Sequence, residues 1–148
     1  MTKEVLLTIS GLQFAQETGV ENIEIITAGD YYKKNDVHYV IYDEVTEGME
    51  GSTKNIIKVR ENKLDVTKKG TSNVHMIFEK NKKNNTYYFT PFGSLLIGID
   101  AKNIALKEEE KAIDVKVEYE LEVNHEHLAD CVISLNIKSR EDKNFTLQ

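Results

Sequence analysis

The chain has 148 residues, 40% of them apolar and 30% charged, with a net charge of −6. That length makes one domain with a core of ordinary size, and no apolar run nears the roughly 18 residues of a membrane span. Seventeen lysines stand beside two arginines, Arg60 and Arg140, an acidic and arginine-poor balance that argues against nucleic acid as a partner.

Met1-Thr2-Lys3-Glu4 leads into a strand without the apolar stretch of a signal peptide. The single cysteine, Cys131, excludes an internal disulfide. A soluble, cytoplasmic chain is expected, with no membrane partner.

The first predicted strand runs from Lys3 to Phe14, with Val5, Leu7 and Ile9 on one face. Thr18-Gly19 signals a turn. The second, Asn22 to Lys33, groups Ile23, Ile25 and Thr27, and Gly29 inside it marks a bulge or bend of the kind barrel corners need. Asn35-Asp36 turns the chain into a third strand, Val37 to Thr46. The loop from Glu47 to Gly51 leads to a fourth, Ser52 to Arg60. Glu61-Asn62-Lys63 and Gly70-Thr71 bracket a fifth, Leu64 to Lys69. The sixth, Asn73 to Lys80, sets Val74, Met76 and Phe78 against Asn73, His75 and Glu79. After a polar loop from Asn81 to Asn85 comes a seventh, Thr86 to Thr90, closed by the one proline, Pro91. The eighth is Ser94 to Leu106.

The ninth, Ala112 to Asn124, is the strongest signal in the chain. Val115, Val117, Tyr119, Leu121 and Val123 alternate with Lys116, Glu118, Glu120 and Glu122, a period of two that only a strand has. The tenth, Leu128 to Ser139, turns Cys131, Ile133, Leu135 and Ile137 inward. Ten strands on short connections predict an all-β antiparallel meander, and a sheet of that width curls and closes into a barrel.

Four blocks carry a resemblance. They are Gly48-Met49-Glu50-Gly51-Ser52, Lys69-Gly70 through Phe78-Glu79, Tyr87 through Gly98 with its Thr90-Pro91-Phe92-Gly93 hairpin, and Tyr119 through Asn124. In content and order they resemble the YwiB-like family, a bacterial family of unknown function, which is itself similar to the calycins (lipocalins and fatty-acid binders). The resemblance implies a calycin-like barrel over residues 1–148 and no established activity. The chain has no Trp for the lipocalin signature, and its last two strands have no Arg for the fatty-acid clamp.

A barrel of this size predicts an interior ligand site, lined by Tyr39, Tyr88 and Tyr119 with Met76 and Phe78. The expected ligand is small and apolar or amphipathic. Outward apolar residues Leu6, Ile26, Ile56, Leu96 and Val132 offer the alternative, a solid barrel acting as an interaction or homo-oligomeric module. His125 and His127, as a His-x-His pair with Asp130 nearby, are weak metal candidates. Asp43, Glu44, Glu47 and Glu50 around Gly48 and Gly51 are an acidic loop without EF-hand spacing. His75 beside Asn73 and Glu79 has acid–base character but no nucleophile with it. Phosphate loops, nucleophile elbows and Cys-x-x-Cys pairs are absent, so no cofactor and no enzymatic activity are expected.

Overall fold

The computed structural model describes residues 1–11, 14–15, 19–20, 24–45, 51–91 and 93–140, with 14–15 and 19–20 described as backbone alone. Twelve strands follow in chain order: β1 (Glu4–Ser10), β2 (Phe14–Ala15), β3 (Gly19–Val20), β4 (Glu24–Lys34), β5 (Val37–Glu44), β6 (Thr53–Arg60), β7 (Lys63–Gly70), β8 (Val74–Glu79), β9 (Lys83–Thr90), β10 (Gly93–Glu108), β11 (Ala112–Val123) and β12 (Glu126–Ser139). β2 and β3 form a separate two-stranded ribbon, and the other ten make one antiparallel sheet in the order β8-β7-β6-β5-β4-β1-β12-β11-β10-β9. The described residues contain no helix, so none is long and apolar enough to cross a membrane.

The ten-strand meander is thus present, with β1 brought between β4 and β12. Its two ends meet at a bridge in which Asn73 and Phe89 exchange backbone hydrogen bonds of 2.8 and 2.9 Å. The result is a nearly closed barrel. The first predicted strand is shorter than its alternation implied, because Gly11 takes a positive φ of 83° directly after Ser10. Gly29 marks a bend rather than a bulge. β4 pairs with β1 through Asp30 and with β5 from Asp30 onward, without a slip in register. A Cβ on Gly29 would lie 3.0 Å from the Ile41 carbonyl oxygen and 3.1 Å from Leu7, a tight fit that a larger residue would meet only by shifting its neighbours a few tenths of an ångström. Ile23 lies outside the described residues.

One face of every barrel strand is dry. Val5, Leu7, Val40, Ile57, Val66, Met76, Phe78, Ile99, Val117, Leu121 and Ile133 are all buried inside. Alternation along each strand produces this directly, as β11 shows with Ile113, Val115, Val117, Tyr119 and Leu121. Two bulges interrupt the pattern, one in β10 between Ala101 and Asn103 and one in β12 between Ala129 and His127. Each re-aims the side chains beyond it.

The hairpins sort into two ends. The first holds the β4–β5, β6–β7, β8–β9 and β10–β11 turns. The second holds the β7–β8, β9–β10 and β11–β12 turns and the start of β6.

Candidate functional site

At the first end, three turns are built from residues that tolerate left-handed backbone: Asn35 and Asp36 (φ 51° and 63°), Asn62 (64°) and Asn81 (64°). Between them opens a cleft of about 770 Å³, its rim formed by Lys33, Asp36, Arg60, Glu61, Lys63 and Lys80. Its floor is His38, which shares the inward parity of Val40 and Tyr42 and is 2% exposed. Both ring nitrogens are held. The Tyr31 hydroxyl is 2.7 Å from Nδ1, and Nε2 is 3.3 Å from Glu108 Oε1. Lys33 Nζ takes the other carboxylate oxygen at 3.3 Å.

Burial pushes His38 below its ordinary value, against the pull of Glu108, and Lys33 pushes the same way as burial. The neutral ring then has one tautomer that satisfies both partners: Tyr31 donates to Nδ1, and Nε2–H donates to Glu108. Burial and the same carboxylate raise the Tyr31 phenol, keeping it a donor. Among the described residues, Arg60, Lys63 and Lys80 carry no ion pair, and the acids left over on the rim are Asp36 and Glu61. Three free cations therefore face two free carboxylates over a fixed, neutral imidazole.

The second end is also polar inside. Tyr42, Asn55 and Lys68 stand opposite one another on β5, β6 and β7. Asn55 is fully buried and Lys68 is 3% exposed. Lys68 Nζ is 2.7 Å from Asn55 Oδ1 and 3.0 Å from Glu44 Oε1. Such a lysine is tolerable only with its charge matched and its protons placed. The Tyr42 hydroxyl beside this group has no hydrogen bond among the described residues, and burial pushes its phenol far up. Tyr88 lies near this group, its phenol raised by burial and by Glu44 and lowered by Ser72.

The residues read from sequence divide as follows. Tyr119, Met76 and Phe78 do face the interior, but they are 2%, 0% and 0% exposed. A void wide enough for a ligand would leave its walls accessible, so these side chains are packing. Tyr88 faces inward at the second end and is half-buried. Tyr39 is a correction. It lies on the outer face, its ring stacked on Tyr32 with centroids 4.5 Å apart and Lys58 over it at 5.6 Å. The parity of β5 could not be read because Val37-Tyr39-Ile41 and Val40-Tyr42 are both apolar sets.

His125 and His127 are not a strand pair. Asn124 and His125 form the turn, with φ of 51° and 69°, and His127 meets Asp130 instead, 3.1 Å from Nε2 to Oδ1. His75 pairs with Asp65 at 2.9 Å, not with Asn73 or Glu79. Of the acidic loop, Glu47, Gly48 and Glu50 lie outside the described residues, and Glu44 points inward to Lys68. Among the outward apolar residues, Ile26 and Val132 are exposed, while Leu6, Ile56 and Leu96 are half-buried.

Sequence reasoning missed His38, Asn55, Thr53 and Lys68. The signal was present in each case: a polar residue standing at the inward parity of an apolar strand.

Comparison with known proteins bears on the fold. A family model described as a domain of unknown function, DUF1934, matches residues 7–135. The crystal structure of the ywiB protein from Bacillus subtilis is similar at 24% identity, with a TM-score of 0.70, covering 92% of this chain and 88% of that one. No curated protein matches.

Proposed function

We propose, for a chain that belongs to the DUF1934 family of domains of unknown function and takes no activity from that membership, a non-enzymatic binding barrel whose ligand sits at the His38 mouth. The ligand is a small amphipathic molecule with an anionic group. The observation that carries this reading is the ring of unpaired cations Arg60, Lys63 and Lys80 over a buried imidazole with a fixed tautomer. Leu106 adds an apolar wall to the same cleft. The mid-barrel side chains that would wall a lumen site, Met76, Phe78 and Tyr119, are buried, which favours the mouth over the lumen. In this proposal the protein works in a reducing cytoplasm, which the buried free thiol of Cys131 suits.

Amide NMR with a panel of short- and medium-chain carboxylates and aromatic acids tests it. Shifts should gather at His38, Arg60, Lys63 and Leu106, saturate, and weaken in Arg60→Ala. A panel that moves none of these resonances, or moves residues at the second end instead, would reject the reading. Chemical turnover of a bound compound, lost in His38→Gln, would replace binding with catalysis.

One observation favours the interaction reading. Tyr87 and Phe89, 56% and 54% exposed, stack on the outside of β9 with centroids 6.1 Å apart, and Leu96 lies opposite Tyr87. Exposed apolar strips of this kind mark contact surfaces. Sedimentation across a concentration series should then show a dimer that Tyr87→Lys disrupts. A monomer at all concentrations would remove this alternative.

A further inference from the structure

The register of β10, β11 and β12 imposes a row of like charges on the outer wall. Asp100 is opposite Glu120, and Glu120 is opposite Asp130. Carboxylates facing each other across strands repel, so the row needs cations. Lys102 supplies one, with Nζ 2.9 Å from Asp100 and 3.3 Å from Glu120. On the Asp130 side the neighbour is His127, a residue that is as much a metal ligand as a cation.

His127 comes to that position through a bulge. In a regular strand, residues three apart face opposite ways. Leu121 pairs with Ala129 and Glu122 with His127, so Leu128 is an extra residue, and the parity of His127 is flipped onto the face of Asp130. One ligand atom each from Glu120, His127 and Asp130 then lies within 4.8 Å of the others. His127 and Asp130 are exposed and Glu120 is partly so, leaving the group open to ions from solvent.

We propose that Glu120, His127 and Asp130 form a surface site for a divalent transition-metal ion of the zinc type. One imidazole and two carboxylates are a three-ligand set that leaves a fourth, water-filled position. Calcium and magnesium want six or more oxygens and gain little from an imidazole, so the ligand types select against them. Bond lengths of roughly 2.0–2.2 Å require the three side chains to draw together, which exposed rotamers allow. Lys102 holds one oxygen of the Glu120 carboxylate, which makes it an internal competitor for that ligand. The site is on the outer wall and does not rest on the proposed mouth.

Calorimetric titration of the full chain with zinc chloride, alongside amide NMR, tests the site. One ion should bind per chain and shift residues 100–102, 120 and 127–130. His127→Ala and Asp130→Asn should each weaken binding by at least about tenfold, since even loss of outer-shell partners costs that much. His125→Ala, two residues away in the turn, should leave the affinity unchanged, and Lys102→Met should tighten it. Thermal melts confirm that each variant is folded. No binding at millimolar zinc, unchanged affinity in His127→Ala, or equal loss in His125→Ala would each overturn the proposal.

Discussion

Phe78 and Tyr119 meet edge to face inside the barrel, with ring centroids 5.0 Å apart and planes at 75°. They come from β8 and β11, and the small Ala101, opposite Tyr119 on β10, leaves the space for that ring. Among the described residues the Tyr119 hydroxyl makes no hydrogen bond of ordinary geometry, and the Cys131 thiol is the polar group beside it. Removing that oxygen removes an unsatisfied buried group, so Tyr119→Phe should be neutral or stabilising by up to about 1 kcal/mol. Tyr119→Lys should be severely destabilising, whereas Glu118→Lys on the wet face should cost about 0.5 kcal/mol or less. Thermal melts of the three variants check this, and the reverse order for the two lysines would invert the parity of β11.

Lys68 is a second test of the interior. Lys68→Met leaves Asn55 Oδ1 buried without its donor, which should cost about 1–3 kcal/mol. Glu44 is 19% exposed and reaches water, which limits its share of the loss. Adding Asn55→Leu replaces both partners with apolar groups and should recover stability relative to the single variant. Urea denaturation measures both; a double variant as unstable as the sum of its parts would show that the polar row is worth more than its pairs.

The strand count and the dry face of the barrel were legible in the sequence because a period of two is imposed by backbone geometry. β11 alternates one apolar residue with one charge, which makes the inward set Val115, Val117, Tyr119, Leu121 and Val123 legible; only Ile113, at the start of the strand, falls outside it. β5 defeated the same rule because both of its faces are apolar, so Tyr39 was placed inside. Lys68 and His38 stood at inward parity in plain view, but a polar residue there reads as noise until a partner across the sheet is known. The bulge at Leu128 left no local mark, since nothing between Leu121 and Asp130 sets the register except pairing with the neighbouring strand. Whether the lumen is filled depends on rings meeting from strands as distant in sequence as β8 and β11, and no pattern along the chain reports that.

The mouth carries a pH signature. His38 in the folded chain sits below the 6.5 of a free imidazole, first because of burial. The unfolded chain therefore takes up a proton that the folded chain refuses. Stability from this group is full above about pH 6.5, falls as pH drops from there to the lowered folded value, and levels off below it. The slope is no more than about 1.4 kcal/mol per pH unit. Urea midpoints for the wild type and His38→Gln across pH 5 to 8 should diverge in slope below about pH 6.5. Parallel curves would remove His38 from the linkage.

Gly70 and Gly93 separate crowding from strain. Gly70 has φ of 142°, and a Cβ there would collide with the Ser52 carbonyl oxygen; Gly93 has φ of 132° and a Cβ would meet nothing within 4 Å. Gly70→Ala should cost more than Gly93→Ala, with about 1–3 kcal/mol for the strained backbone and a further steric cost at Gly70 alone. Equal losses in a denaturant series would mean that β6 yields freely at that contact.

The barrel closes unevenly. β11 is laddered on both sides, but among the described residues β8 and β9 share a single backbone bridge, Asn73 to Phe89, and a side-chain bond from Asn84 Nδ2 to the Ile77 carbonyl. The cylinder is therefore a long ribbon whose ends are latched by rings more than by hydrogen bonds. Unlatching it breaks few backbone pairs and leaves the nine-pair ladder of the ribbon standing, so it is a partial opening far less costly than unfolding. Amides along β8 and β9 should exchange with solvent deuterium sooner than those of β11, with Phe78 the residue whose removal widens the difference.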